Sequence, residues 1–136
     1  MPSPAPGPYV LSDTCLRLRP DSSAEPIHIG DDFWQRLMGG KLGDFHHEYL
    51  VMTFSYDKDW PNWEMHPNGD EIVMLLEGKT TLVLEIDGGE KIVELSESCA
   101  YVVVPRGTWH TSRARGPCRM LFMTPGEGTQ HRAAKA

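Results

Sequence analysis

The chain has 136 residues and a formal net charge of −6, a length that suits one domain burying about two-thirds of its unfolded surface without disulfide staples. With 40% hydrophobic and 24% charged residues it is neither disordered nor fibrous, and its apolar runs at 72–76 and 100–104 fall far short of the roughly 20 residues of a membrane span. An acidic balance without a basic run speaks against nonspecific nucleic-acid binding, which needs clustered Lys and Arg.

Residues 1–10 alternate Pro2, Pro4, Pro6 and Pro8 with mostly small residues, which excludes helix and ladder and predicts an extended, flexible arm. This start lacks the basic and apolar regions of a secretory leader, so the expected address is the cytoplasm. Residues 31–38 predict the one helix: Asp31 or Asp32 can cap it, Phe33, Trp34, Leu37 and Met38 share a face, and Gly39-Gly40 stops it. The rest reads as short strands, at 15–18, 49–56, 71–76, 80–86, 91–95, 101–104, 109–113 and 119–123. Turn signals separate them: Asn68-Gly69, Glu77-Gly78, Asp87-Gly88-Gly89, Pro105 with Gly107, and Gly116-Pro117. Many short strands with Gly and Pro punctuation predict an all-β antiparallel sandwich or barrel. The small, polar segment 126–136 predicts a frayed tail. Cys15, Cys99 and Cys118 form no C-x-x-C pair and are expected to be buried, reduced thiols.

The chemistry-bearing residues lie in two segments. In the first, strand alternation puts Glu64 and His66 on one face and Trp63 and Met65 on the other. A turn at Asn68-Gly69 lets Glu71 return opposite His66. In the second, Pro105-Arg106-Gly107 turns the chain, and His110, Ser112 and Ala114 share the less polar side of the strand that follows, opposite Arg113 and Arg115. Taken singly, His66 and His110 are ordinary core histidines and Glu71 an ordinary surface charge.

Together, the two segments resemble the paired motifs of the cupin superfamily: His-x-His, three or four residues, Glu, six residues, Gly; then Pro-x-Gly, two residues, His. Here they read Glu64-x-His66, four residues, Glu71, six residues, Gly78, and Pro105-x-Gly107, two residues, His110. The resemblance implies a double-stranded β-helix, or jelly-roll barrel, over 11–125, with motifs at about 63–78 and 105–114. It also implies a homodimer and a divalent ion on His66, Glu71 and His110, a set of two histidines and one carboxylate that suits Fe(II) and leaves coordination positions open.

The sequence departs from the pattern at Glu64, where a histidine is usual, and at Ala114, where an Asn often closes the second motif. Glu64 is then either a fourth, oxygen ligand or a free carboxylate able to act as a base. The donors do not choose among Fe, Mn and Zn.

The expected function is dioxygenase, isomerase or lyase chemistry on a small organic molecule. The alternative is a non-catalytic small-molecule-binding or sensor barrel, with or without metal. His28, His46, His47 and His131 read as surface or core residues, the adjacent pair His46 and His47 pointing to opposite faces if in a strand. Trp60, Trp63 and Trp109 are candidates for a pocket wall, although parity turns Trp63 and Trp109 away from the proposed ligands. Met52, Met65, Met74, Met120 and Met123 suit a pliable core. Arg113, Arg115 and Arg119 read as a solvated strand face or a rim for an anionic ligand, and Arg106 either reaches a carboxylate substrate or, the preferred reading, holds a loop.

Overall fold

The computed structural model describes residues 4–134; parts of the predicted arm (1–3) and tail (135–136) lie outside them. Nine strands and one helix follow in order: β1 (Thr14–Leu18), β2 (Ala24–His28), α1 (Phe33–Met38), β3 (Tyr49–Tyr56), β4 (Asn62–Met65), β5 (Glu71–Ile86), β6 (Gly89–Leu95), β7 (Tyr101–Val104), β8 (His110–Pro125) and β9 (Gln130–Ala133). Every strand pairing is antiparallel, as the all-β reading expects. None of the described helices is long and apolar enough to cross a membrane.

Two 16-residue strands organise the fold. The sequence divides each in two, at Glu77-Gly78 and Gly116-Pro117. The structure instead carries each strand through, with register shifts between Leu75 and Glu77 and between Gly78 and Thr80. Such bulges bend a strand without reversing it. Gly78 has φ +82°, and a Cβ there would overlap the carbonyl oxygen of Pro117, so the closing Gly of the first motif is set by close backbone approach.

Past the bend, β5 and β8 belong to a second sheet. One sheet runs β2, β1, β3, then 118–125 of β8, 71–78 of β5, and β7. The other runs β9, β4, then 110–114 of β8, 80–86 of β5, and β6. Apolar side chains from both halves of the long strands, Val73, Leu75, Leu82, Leu84, Met120 and Phe122, form the main core. A smaller cluster of Cys15, Phe33, Phe45, Leu50 and Met52 sits beneath α1.

Four further features differ from the sequence reading. β2 contains Pro26, which a strand tolerates because β2 lies at a sheet edge. Of the four apolar residues on α1, Phe33 is buried and Leu37 half-buried, while Trp34 and Met38 are exposed. Residues 130–133, expected to fray, form β9 because β4 offers them a free edge to pair with. Cys15 and Cys118 are buried as expected, but Cys99 is exposed. Arg113, Arg115 and Arg119 are solvated and pair with Glu90, Glu94 and Glu77.

Candidate metal centre and cavity

The two motif turns are tied to each other. The Gly107 N–H donates to the His66 carbonyl (2.9 Å) and the Arg106 N–H to Asp70 Oδ1 (2.9 Å). These bonds hold the segment after β4 against the segment before β8. In the register of the second sheet, His131 on β9, Glu64 on β4 and His110 on β8 stand side by side, so their side chains project from one face. His66 lies two residues beyond Glu64 on that face, and Glu71 approaches from the other half of β5.

All four predicted site residues come together. Glu71 Oε1 is 2.9 Å from His110 Nε2, Glu71 Oε2 is 3.4 Å from His66 Nε2, and Glu64 Oε2 is 3.8 Å from His66 Nε2. One ligating atom each from Glu64, His66 and His110 lies within 4.8 Å of the others. His110, Glu71 and His66 are 0%, 2% and 3% exposed, whereas about a third of the Glu64 side chain is accessible (32%).

Surrounding groups fix which atoms face inward. Thr129 donates its hydroxyl proton to the Gly126 carbonyl (3.0 Å) and therefore accepts from His66 Nδ1–H (2.8 Å). The His110 Nδ1–H donates to the Thr108 carbonyl (3.1 Å). Both imidazoles are thereby held with Nε2 free. Thr124 donates to Glu71 Oε2 (2.6 Å) and leaves Oε1 uncommitted. His66 Nε2, His110 Nε2 and Glu71 Oε1 are buried and, among the described residues, have no hydrogen-bond partner, close as they lie to one another. Buried polar atoms are almost always paired, so three unpaired acceptors in one place call for a cation. Two imidazoles and one or two carboxylates are a donor set for Fe(II), Mn(II) or Zn(II), and these residues fit such an ion.

The electrostatics agree. Burial raises the pKa of the Glu71 carboxyl, but the imidazoles of His110 and His66 outweigh it and hold the group at about 2. Burial pulls His110 down, yet the Glu71 carboxylate brings it above its ordinary value. The carboxylate thus stays charged and, with no ion in place, draws a proton to His110, a position that a bound cation would take over.

The centre opens onto a cavity of about 760 Å³, within the usual range of small-molecule sites. Met52, Phe54, Tyr56, Trp60 and Phe122 line its body, and Trp34, Leu37 and Met38 of α1 stand at its mouth. Trp60 is therefore a wall residue, while Trp63 and Trp109 flank the guanidinium of Arg132 (5.1 and 4.7 Å to the ring centroids). The sequence reading missed three residues here: Thr124, Thr129 and His131, whose Nε2 lies 3.3 Å from Glu64 Oε1. Nothing local marks His131, since its role depends on β9 pairing with β4. His46 and His47 lie in a turn and stack on each other, centroids 3.9 Å apart, instead of alternating in a strand.

A cupin domain model matches residues 50–124. No match is found among curated proteins. Similar solved structures include a cupin-2 domain protein from Shewanella frigidimarina (21% identical, covering 57% of this chain and 70% of that one, TM-score 0.48). Two others are a hydroquinone 1,2-dioxygenase from Sphingomonas sp. with 4-hydroxybenzoate bound (16%, 63% and 60%, 0.47) and a hydroxypropylphosphonic acid epoxidase from S. wedmorenis (17%, 56% and 43%, 0.47). This chain covers less than two-thirds of the length of either enzyme, and the reactions and ligands named for them are theirs. The domain match takes in more than half of the residues and both histidine-bearing motifs, and the chain belongs to the cupin family.

Proposed function

We propose that this cupin is a metal-dependent enzyme acting on a small organic molecule, with a divalent ion held by His66, Glu71 and His110. The observation that carries the reading is the trio of buried, unpaired acceptors, His66 Nε2, His110 Nε2 and Glu71 Oε1, on side chains fixed from behind by Thr129, Thr108 and Thr124. A bound divalent ion supplies Lewis-acid polarisation of a substrate oxygen.

Glu64 does the proton work. Of the two cluster carboxylates it is the accessible one, its side chain 32% exposed against 2% for Glu71, and His131 faces its Oε1 while Oε2 faces the centre. It can accept a proton from a substrate carbon or hydroxyl at Oε2. This favours proton-transfer chemistry of the isomerase or lyase kind. The apolar walls exclude water from the reacting end.

The working unit is a homodimer. Support comes from the outer face of the first sheet, where Ile72, Met74, Tyr101, Val103, Leu121 and Met123 are register neighbours and Tyr101 and Val103 are 61% and 49% exposed. A contiguous apolar sheet face of this kind suits a self-complementary interface.

Elemental analysis of protein purified without chelator, then loaded with Fe(II), Mn(II) or Zn(II), tests the metal reading. One ion per chain is expected, falling to less than about a tenth in His66→Ala and His110→Ala, while Glu64→Gln keeps the ion and loses turnover. Wild-type protein that takes up no ion, or histidine variants that retain it, would overturn the reading.

A further inference from the structure

We infer that the molecule accepted by this site is a neutral compound with a flat apolar body, of the size of one aromatic ring with a polar substituent, and that carboxylates and phosphates are refused. The inference rests on the reading of the convergent centre as the reacting end of the cavity and adds the substrate class.

The wall gives the shape. A train of rings leads from the mouth to the centre: Trp34 to Phe54 (5.5 Å between centroids), Phe54 to Phe122 (5.6 Å), Phe122 to Trp60 (5.7 Å) and Trp60 to His110 (6.3 Å). Such spacings are those of stacked and edge-on aromatic pairs, and a planar guest meets ring faces and edges along the whole path.

The charges give the sign. The side chains lining the cavity include four carboxylates, Asp44, Glu64, Glu71 and Glu127, and among the described residues no Lys or Arg. Nearby basic groups are committed to other partners: His46 at the mouth to Glu127 (2.8 Å) and His131 to Glu64 (3.3 Å). Arg132 lies between Trp63 and Trp109 and pairs with Glu85; Arg17 lies over Phe45, bonded to the Leu42 carbonyl and near Glu25 and Glu48.

At the reacting end, Glu64 and Glu71 together cancel the charge of a divalent ion, so the loaded centre offers no surplus positive charge to an anion. An anionic guest would pass the carboxylates at the mouth and then sit desolvated without a cationic partner. In the loaded form a cationic guest would find the deep carboxylates engaged by the ion and the body of the cavity apolar. Neutral guests incur neither cost.

The test is isothermal titration of the full chain, metal-free and Zn(II)-loaded, with three probes of similar size: benzamide, benzoate and benzylamine at neutral pH. Benzamide is expected to bind at least about tenfold more tightly than benzoate in both forms, and than benzylamine in the Zn(II)-loaded form, the penalty expected for an unpaired buried charge. Benzoate in either form, or benzylamine in the loaded form, binding as tightly as benzamide would overturn the inference, as would no saturation by benzamide at millimolar concentration.

Met38→Arg places a cation at the mouth on a side chain 73% exposed, where folding is undisturbed. It should raise benzoate affinity severalfold and leave benzamide within about twofold; an unchanged benzoate affinity counts against the charge argument. Zn(II) uptake measured on the same samples separates the two readings. A chain that binds no Zn(II) yet prefers benzamide overturns the metal centre alone, and one that binds Zn(II) but prefers benzoate overturns the substrate class alone.

Discussion

Two polar clusters lie inside this barrel, and they are built on opposite terms. In the first, Tyr56, Ser112 and Thr80 bond one another, Tyr56 Oη to Ser112 Oγ at 2.7 Å and Thr80 Oγ1 to Ser112 Oγ at 2.9 Å, and Thr80 also donates towards the Arg113 carbonyl at 3.4 Å. In the second, built around His110 two residues before Ser112 on β8, His110, His66 and Glu71 leave three buried atoms unpaired. A closed network stabilises the fold and specifies its packing. An open one costs stability, and its retention points to a ligand that completes it.

Substitutions can break or sharpen this contrast. The largest expected effect lies at the bend that brings the closed cluster together: Gly78→Ala, forced into a positive φ against the Pro117 carbonyl, should destabilise by at least about 3 kcal/mol in chemical denaturation. Next comes Ser112→Ala, which leaves the Tyr56 and Thr80 hydroxyls only their longer contacts of 3.4 Å and should cost about 1–3 kcal/mol with metal stoichiometry unchanged.

The open cluster should answer the other way. His66→Ala removes one unpaired acceptor, so metal-free stability should move by less than about 1 kcal/mol while metal is lost. A loss as large as that at Ser112 would erase the distinction between the clusters. His131→Ala, which frees Glu64 without touching the centre, should lower metal affinity by less than about tenfold and be rescued in part by His131→Gln.

The smallest effect is at the mouth. His46 is exposed and its Nδ1 lies 2.8 Å from Glu127 Oε2, which raises its pKa above 6.5 chiefly through that hydrogen bond. A group raised on folding contributes its full stabilisation below the unfolded value of 6.5 and loses it as pH rises through the folded one. Hydrogen exchange of the amides at 126–129 should therefore be slower, relative to intrinsic rates, at pH 6 than at pH 8, a difference absent in His46→Gln.

The sequence carried the open cluster better than it carried the barrel's seams. Glu64, His66, Glu71 and His110 were legible because each lies in or beside a turn whose residues fix direction: Asn68-Gly69 before Glu71, Pro105 and Gly107 before His110. The continuity of β5 and β8 was not legible, because Gly78 and Gly116-Pro117 are the same residues that end strands; only the partner chain segment distinguishes a bend from a reversal. His131 was invisible for the related reason that a polar tetrapeptide becomes a strand only when β4 presents an edge. The cavity wall was half legible. Trp60 could be named as a candidate, but the alignment of Phe54, Phe122 and Trp34 with it depends on the antiparallel register of β3 against β8 and on the placement of α1.

The sharing of β5 and β8 between both sheets has a consequence for how this protein can diversify. Glu71 and Thr124 stand on one sheet and His110 on the other; β8 joins Thr124 to His110 without a break, and β5 carries the strand of Glu71 on into the second sheet beside His110, so sliding of one layer over its neighbour would strain covalent geometry before it could spread the donors apart. The rim of the vestibule is freer: Trp34 and Met38 of α1, Gly43 and Asp44 are exposed and hold none of the donors. Lineages descended from this scaffold can remodel the gate and thereby exchange one guest for another, while the chemistry at the bottom stays in register.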